Sequence, residues 1–90
     1  MDIELKRRII NFTYSRDVST VSKRILTFVK DNDMRLNLKS LITSIPHTAP
    51  ENIDVCWDRL CKIINFYING NYEDLKKENK IIVDILLGTL

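Results

Sequence analysis

Few side chains in this sequence could take part in catalysis. The one histidine, His47, lies in a short connection between Pro46 and Thr48. A histidine acts as a general base only when the fold brings a nucleophile to it, and proximity along the chain to Ser44 and Thr48 does not supply one. We therefore interpret His47 as an exposed loop residue with no catalytic role.

Two pairs of carboxylates have the spacing that places both members on one face of a helix. Asp54 pairs with Asp58, and Asp74 pairs with Glu78, each four residues apart. Acid–base catalysis would need a pocket that separates the two pKa values of a pair, and a small helical core leaves little room for one. We expect both pairs to lie on solvated faces. The sequence also has no glycine-rich loop for a phosphate, so we predict neither an enzyme nor a cofactor.

Both cysteines, Cys56 and Cys61, fall in one apolar stretch. In a helix, side chains five residues apart point in directions too different for a disulfide. We predict two buried, reduced thiols, as is usual in a reducing compartment. One histidine and two cysteines at this spacing match no zinc pattern, so no metal site is predicted.

The expected location is the cytoplasm. The first ten residues carry five charged side chains and no apolar segment follows them as in a signal peptide. The longest unbroken apolar runs are a few residues, far below the roughly 18 to 20 that span a membrane. No membrane association is predicted.

Composition indicates one all-α domain. The 90 residues are 44% hydrophobic and 29% charged, which is ordinary for a globular protein. A chain of this length is too short to form two cores. Only two glycines and two prolines occur, whereas an all-β domain needs many more for its turns. We predict a compact bundle of four to five helices in a single domain.

Apolar residues at helical spacing, together with capping residues, divide the chain into five predicted helices. Asn37 is the predicted N-cap of the third helix, and Thr48 to Glu51 has the pattern of a capping box for the fourth. Asn71 is placed to cap the fifth, and Gly88 to end it. The predicted helices cover about 2–13, 18–31, 38–45, 49–68 and 72–87.

The fourth predicted helix is the expected centre of the bundle. Its apolar residues cover more than half of its circumference, which is typical of a helix packed on several sides. They include Trp57, for which we predict a core position. The others are Ile53, Cys56, Leu60, Cys61, Ile63, Ile64, Tyr67 and Ile68.

Charge is divided unevenly between the two halves. Residues 1–45 hold nine Lys or Arg and five Asp or Glu, a net charge of +4, whereas residues 46–90 hold five and seven, a net charge of −2. If the first two helices are antiparallel neighbours, their cations merge into one basic face that could bind an acidic protein or nucleic acid phosphates. The predicted basic face consists of Lys6, Arg7, Arg8, Lys23 and Arg24.

Most aromatic residues occupy the apolar stripes and are expected in the core. Tyr14, at the end of the first predicted helix, and Phe66, opposite the main stripe of the fourth, are the exceptions. Exposed aromatic side chains often anchor protein partners, so we predict that role for these two.

The function predicted by elimination is a non-catalytic protein-binding module: a small inhibitor, adaptor or immunity-type protein acting on a larger protein partner. The alternative is a small nucleic-acid-binding regulator that uses the basic face. It ranks second because a pI of about 8.6 is only mildly basic for such a domain. A third hypothesis is a self-associating structural domain, such as a homodimer, packed through the fourth helix.

Overall fold

The computed structural model describes residues 3, 4, 7, 9, 11 and 15–88. Within them the chain forms four α-helices and one 3-10 turn, with no β-strand, which confirms the all-α class. The radius of gyration is 12.2 Å, close to the roughly 12 Å expected of a compact single domain of this length. In chain order the elements are α1 (Val18–Phe28), α2 (Asn32–Ser44), the 3-10 turn (Ile45–His47), α3 (Pro50–Ile68) and α4 (Tyr72–Leu87).

The first predicted helix, about 2–13, falls mostly outside the described residues. Five of its positions are described, and all have helical backbone. Ile9 is buried and belongs to the core. The other four are exposed: Ile3, Glu4, Arg7 and Asn11.

Aspartates cap the first two described helices. The Asp17 carboxylate accepts a hydrogen bond from the backbone N–H of Ser19 at 3.0 Å and so satisfies one of the unpaired donors at the start of α1. Helix α1 ends at Phe28 rather than near residue 31, because Val29 already has extended backbone angles. Asp31 then caps α2 by accepting from the N–H of Asp33 at 2.9 Å.

The prediction that Asn37 caps this helix is wrong. Helix α2 begins at Asn32, six residues before the predicted start, and Asn37 lies in its interior. The polar residues after Asp31 form the first turn of α2 instead of a break between helices. The Asn37 side chain points toward α4, where its amide donates to Asn79 at 2.8 Å. Its polarity serves a contact between helices, which the sequence pattern alone does not distinguish from a cap.

The predicted capping box at the start of α3 is also wrong. The N-cap residue is Ala49, and no side chain bonds the first turn there. The Thr48 N–H instead donates to the Ile45 carbonyl, which closes the 3-10 turn. Pro50 lowers the need for a cap, because its ring supplies the first helical φ and it has no N–H to satisfy.

A tight connection of three residues joins α3 to α4. Gly70 has a φ of +73°, a left-handed conformation that glycine adopts without a steric penalty. The N–H of Asn71 donates to the Phe66 carbonyl at 2.9 Å and closes the turn. Helix α4 ends at Gly88 with a φ of +72°, as predicted. The short turn makes α3 and α4 antiparallel neighbours.

The core lies where all four described helices converge, and it confirms the predicted apolar stripes. Trp57 is almost fully buried in α3, and Val21 and Ile25 are fully buried in α1. None of the described helices is both long enough and apolar enough to cross a bilayer. The other buried residues of the core cluster are Ile9, Val29, Met34, Leu38, Leu41, Ile42, Ile45, Cys56, Leu60, Ile63, Ile64 and Ile82.

Candidate functional site

One arginine binds both members of the first predicted carboxylate pair. The Arg16 guanidinium donates to Asp54 at 2.7 Å through Nη1 and to Asp58 at 2.5 Å through Nη2. We call these three residues the Arg16 clasp. The two carboxylates are exposed, as predicted, but they also hold the segment before α1 against α3. The sequence could not show this, because Arg16 lies 38 and 42 residues away from them.

The backbone at Arg16 has an uncommon conformation. Its φ is +56°, in the left-handed region that residues with a Cβ seldom occupy. The conformation turns the chain just before the Asp17 cap of α1. The clasp therefore combines two ion pairs with a sharp bend, and its carboxylates already accept hydrogen bonds from a cation.

A shallow cavity of about 330 Å³ lies beside the clasp. Its lining is polar apart from one thiol: Asp58, Cys61, Lys62 and Asn65. Burial, assisted by the nearby Asp58 carboxylate and opposed by Arg16, raises the pKa of the Cys61 thiol to about 11. The thiol is protonated at neutral pH and is not a nucleophile. Burial also raises the pKa of Cys56.

The described residues give no metal site. Both cysteines are free and buried, as predicted. In the described ranges, no three side chains of His, Cys, Asp or Glu converge in a way that could hold a metal ion. His47 is exposed at the end of the 3-10 turn, in agreement with the loop position predicted for it.

The prediction that Asp74 and Glu78 share a solvated face is wrong for Glu78. Its side chain is buried, with 8% of the residue exposed, and it accepts a hydrogen bond from Arg59 of α3 at 2.8 Å. Asp74 instead accepts from the Asn71 amide at 2.7 Å at the start of α4. Each carboxylate has a hydrogen-bond partner of its own.

The described part of the predicted basic face is exposed. Arg7 pairs with Glu4 at 3.5 Å, and Lys23 and Arg24 lie on the surface of α1. Lys6 and Arg8 lie outside the described residues. The convergence of all five cations into one face therefore remains a prediction.

The aromatic residues on the surface differ from the predicted pair. Phe66 is half-buried in α3 instead of exposed, and Tyr14 lies outside the described residues. Tyr72, which the sequence pattern did not single out, is 56% exposed at the start of α4. Its ring lies 6.4 Å from that of Tyr67, at a tilted angle, and the pair packs across the end of the hairpin.

Apolar side chains outside the core follow the junction between α3 and α4. On α3, the residues at i, i+4, i+7 and i+11 that share one side are Val55, Arg59, Lys62 and Phe66. Because Arg59 binds Glu78, this side faces α4, where Ile81 lies one turn after Glu78 and Lys77 lies one turn before Ile81. We call the outward part of this junction the outer seam. It comprises Val55, Lys62, Phe66, Lys77 and Ile81.

The apolar members of the outer seam are not part of the core. Val55 is 43% exposed. Phe66 and Ile81 are half-buried, and neither is among the partly buried side chains that pack against the core cluster in the described part of the chain. The lysines between them are exposed. The sequence carries a signal for this surface, since a second stripe with Val55 and Phe66 runs along α3 beside the stripe that contains Trp57.

No known family, characterised protein sequence or solved structure matches this chain significantly.

Proposed function

We propose that this chain is a non-catalytic protein-binding module that acts by occupying a surface of a larger protein partner, as a small inhibitor, adaptor or immunity-type protein does. The observation that carries the proposal is the outer seam. Three apolar side chains there lie outside the core cluster of the described residues: Val55 is exposed, and Phe66 and Ile81 are half-buried. Exposed apolar side chains rimmed by polar ones are typical of protein-binding surfaces.

The chemistry of the polar groups supports a role without catalysis. Asp54 and Asp58 are bound by Arg16, and the buried Glu78 is bound by Arg59. The Cys61 thiol keeps its proton at neutral pH because its pKa is raised to about 11. These groups stabilise the bundle, which leaves the surface as the working part of the protein.

The two buried thiols also support a location in a reducing compartment, and we propose the cytoplasm. A cytoplasmic partner is then the expected one. Reduced cysteines are stable there, whereas free thiols in secreted domains are uncommon.

A nucleic-acid-binding regulator remains the second proposal, supported by the exposure of Arg7, Lys23 and Arg24. Helices α1 and α2 also follow one another as in a helix-turn-helix unit, with α2 in the position of the recognition helix. The caps argue against this arrangement. Asp31 and Asp33 lie at the start of α2, where a recognition helix approaches the DNA, and carboxylates there repel phosphates.

Affinity capture from the native cell, with and without nuclease, separates the two proposals. A stoichiometric protein that remains after nuclease treatment is the expected result. Loss of the captured material on nuclease treatment, together with affinity that falls steeply with salt, would favour the regulator. The variant that tests the basic face is Arg7→Glu with Arg24→Glu, which should leave the helical circular dichroism signal unchanged. It abolishes binding only if the basic face is the contact surface.

A further inference from the structure

We propose that Asn69 is a modification site, at which the side-chain amide is lost by spontaneous deamidation, and that the turn between α3 and α4 controls the rate of this reaction. Asn69 is the one asparagine in the sequence that is followed by glycine. Asn69 and Gly70 are both exposed, so water reaches them. Asparagine amides are among the chemically labile groups of proteins. This inference goes beyond the proposed function and does not depend on it.

The reaction uses the backbone nitrogen of Gly70 as its nucleophile. This nitrogen attacks the Cγ carbon of Asn69 and forms a C–N bond, while the bond from Cγ to Nδ2 breaks and Nδ2 leaves as ammonia with the Gly70 proton. The product is a five-membered imide ring. Water then opens the ring at one of its two carbonyl carbons, which gives aspartate or isoaspartate. Gly70 favours the attack because it has no Cβ to obstruct the approach.

The folded turn holds the backbone of Asn69 in a conformation that opposes this attack. Ring closure requires the Gly70 nitrogen to eclipse the Cβ of Asn69 about the Cα–C bond. The ψ of Asn69 is 1°, so the Gly70 nitrogen eclipses the Asn69 backbone nitrogen instead and lies about a third of a turn away from Cβ. The Gly70 N–H is also occupied, because it donates to the Tyr67 carbonyl at 3.2 Å.

The leaving group is held by the preceding turn of α3. The Nδ2 of Asn69 donates to the backbone carbonyl of Asn65 at 3.0 Å and to its side-chain Oδ1 at 2.9 Å. Before it can react, Asn69 must break these bonds and rotate about its Cα–C bond, and the Gly70 N–H must be released. Local opening limits such a reaction in the same way that it limits amide hydrogen exchange. The rate is therefore set by how often the turn opens.

The product weakens the turn that restrains its formation. A carboxylate has no N–H, so both bonds from the side chain of Asn69 to Asn65 are lost. The new negative charge lies at the carboxyl end of α3, where the helix dipole opposes it. Isoaspartate also lengthens by one carbon the backbone path of a connection of only three residues. We expect the reacted chain to unfold at a lower temperature than the unreacted chain.

The rate in the full chain, compared with that in a synthetic peptide of residues 66–72, tests the proposal. Both samples are incubated in one mildly alkaline buffer made with heavy-oxygen water, and mass spectrometry after digestion measures the oxygen incorporated at Asn69. We expect both to react, and the folded chain to react at least about tenfold more slowly. Absence of labelled Asn69 from the full chain, or equal rates in the two samples, would overturn the proposal.

Asn71 is an internal control, because it is exposed in the same turn but precedes a tyrosine. It should react far more slowly than Asn69 in the chain and in the peptide. Equal rates at Asn69 and Asn71 would mean that Gly70 is not the cause of the reactivity, and the assignment of the site would fail.

Asn65→Ala is the variant that tests control by the turn. It removes the Oδ1 acceptor and keeps the backbone carbonyl, so the rate at Asn69 in the folded chain should rise by about two- to tenfold. Lys62→Ala changes an exposed residue one turn earlier in α3 and should leave the rate unchanged. An equal rise in both variants, or no rise in Asn65→Ala, would show that the bonds to Asn65 do not restrain the reaction.

Thermal unfolding measures the effect of the product. Ion exchange separates the reacted chain by its additional negative charge, and Asn69→Asp supplies a chain with the charge but without the longer backbone. Both should melt below the unaltered chain, and the isoaspartate form should melt lowest. Melting temperatures equal to that of the unaltered chain would overturn the inference that the product weakens the turn.

Discussion

Arg59 and Glu78 join the two longest described helices through a hydrogen bond of 2.8 Å between residues 19 positions apart in the sequence. The Glu78 side chain is 10% exposed and that of Arg59 is 31% exposed, so the ion pair is shielded on the carboxylate side. It fixes how α4 is rotated against α3. That rotation also decides which side chains lie outside the core along the outer seam.

Removal of the cation should destabilise the bundle strongly. In Arg59→Ala the buried Glu78 carboxylate loses its partner, and we expect a loss of about 2 to 4 kcal/mol in the free energy of unfolding measured with urea. The lower end allows for the partial exposure of Arg59. Replacement of both residues by leucine should recover part of the loss, because it removes the uncompensated charge. Lys77→Ala, on the exposed side of α4, should change stability by less than about 0.5 kcal/mol. Equal losses in Arg59→Ala and Lys77→Ala would show that the pair contributes nothing.

Local sequence pattern was sufficient to predict the all-α class and most of the buried surface. Trp57 and its stripe follow from helical spacing alone, and Gly88 ends α4 because a left-handed residue is needed there. Glu78 could not be predicted as buried, because the residue that stabilises it comes from another helix. The N-cap prediction for Asn37 fails for the same reason. A polar residue at the start of an apolar stripe resembles a cap until its partner, here Asn79, is known.

The candidate surface was harder to predict than the fold. The basic face was predicted from charge in the first half of the chain, whereas the outer seam depends on the angle at which α3 and α4 meet. Helical spacing places Val55 and Phe66 on one side of α3, but it does not say whether a neighbour covers them. The burial of each side chain in the folded protein supplies that information, since Val55 is exposed and Phe66 is half-buried.

The hydrogen bond between Asn37 and Asn79 should contribute to the register of α2 against α4. The bond is partly buried, so Asn37→Ala leaves the Asn79 carbonyl oxygen without its donor. We expect a loss of about 1 to 2 kcal/mol. The exposed Ser40→Ala on the same helix is the control and should be nearly neutral. A double-mutant cycle with Asn79→Ala checks the assignment, and strictly additive losses would contradict it.

The positive φ of Arg16 gives a test that separates its backbone from its side chain. Both Arg16→Ala and Arg16→Gly remove the ion pairs to Asp54 and Asp58, which are exposed and contribute at most about 1 kcal/mol each. Glycine tolerates the left-handed conformation, so Arg16→Gly should be more stable than Arg16→Ala by up to about 1 kcal/mol. Thermal unfolding compares the two directly. If the alanine variant is the more stable one, the bend does not persist in solution.

Trp57→Ala should cost about 3 to 5 kcal/mol, because it empties a large site in the core cluster. Val55→Ala lies two residues away on the exposed side of α3 and should cost far less. Chemical denaturation measures both. If Trp57→Ala left stability unchanged but prevented partner binding, the face of α3 described as buried would be the exposed, partner-binding face.

Stability should fall as the pH rises above about 9, because the folded protein resists ionisation of its thiols. The ordinary pKa of 9.0 applies to Cys61 in the unfolded chain, and burial raises the pKa of the folded thiol to about 11. Below pH 9 both states keep the proton, so the stabilisation is fully present. Between these two values the unfolded chain loses its proton first, and the free energy of unfolding decreases by on the order of 2 kcal/mol in total.

The buried Cys56 should add to this loss, since burial raises its pKa as well. Urea unfolding from about pH 8 to pH 10, with a reductant present, measures the decrease, to which Tyr67 adds near pH 10 because burial raises its pKa above the ordinary 10.0. In Cys61→Ala the decrease should become smaller but not vanish, because Cys56 remains. In Asp58→Asn the pKa of the folded Cys61 thiol should fall, because the carboxylate that raises it is gone, and the decrease should again be smaller. A free energy of unfolding that stays constant up to pH 10 in the unaltered chain would show that the thiols ionise equally well in the folded state, and hence that they are accessible to water.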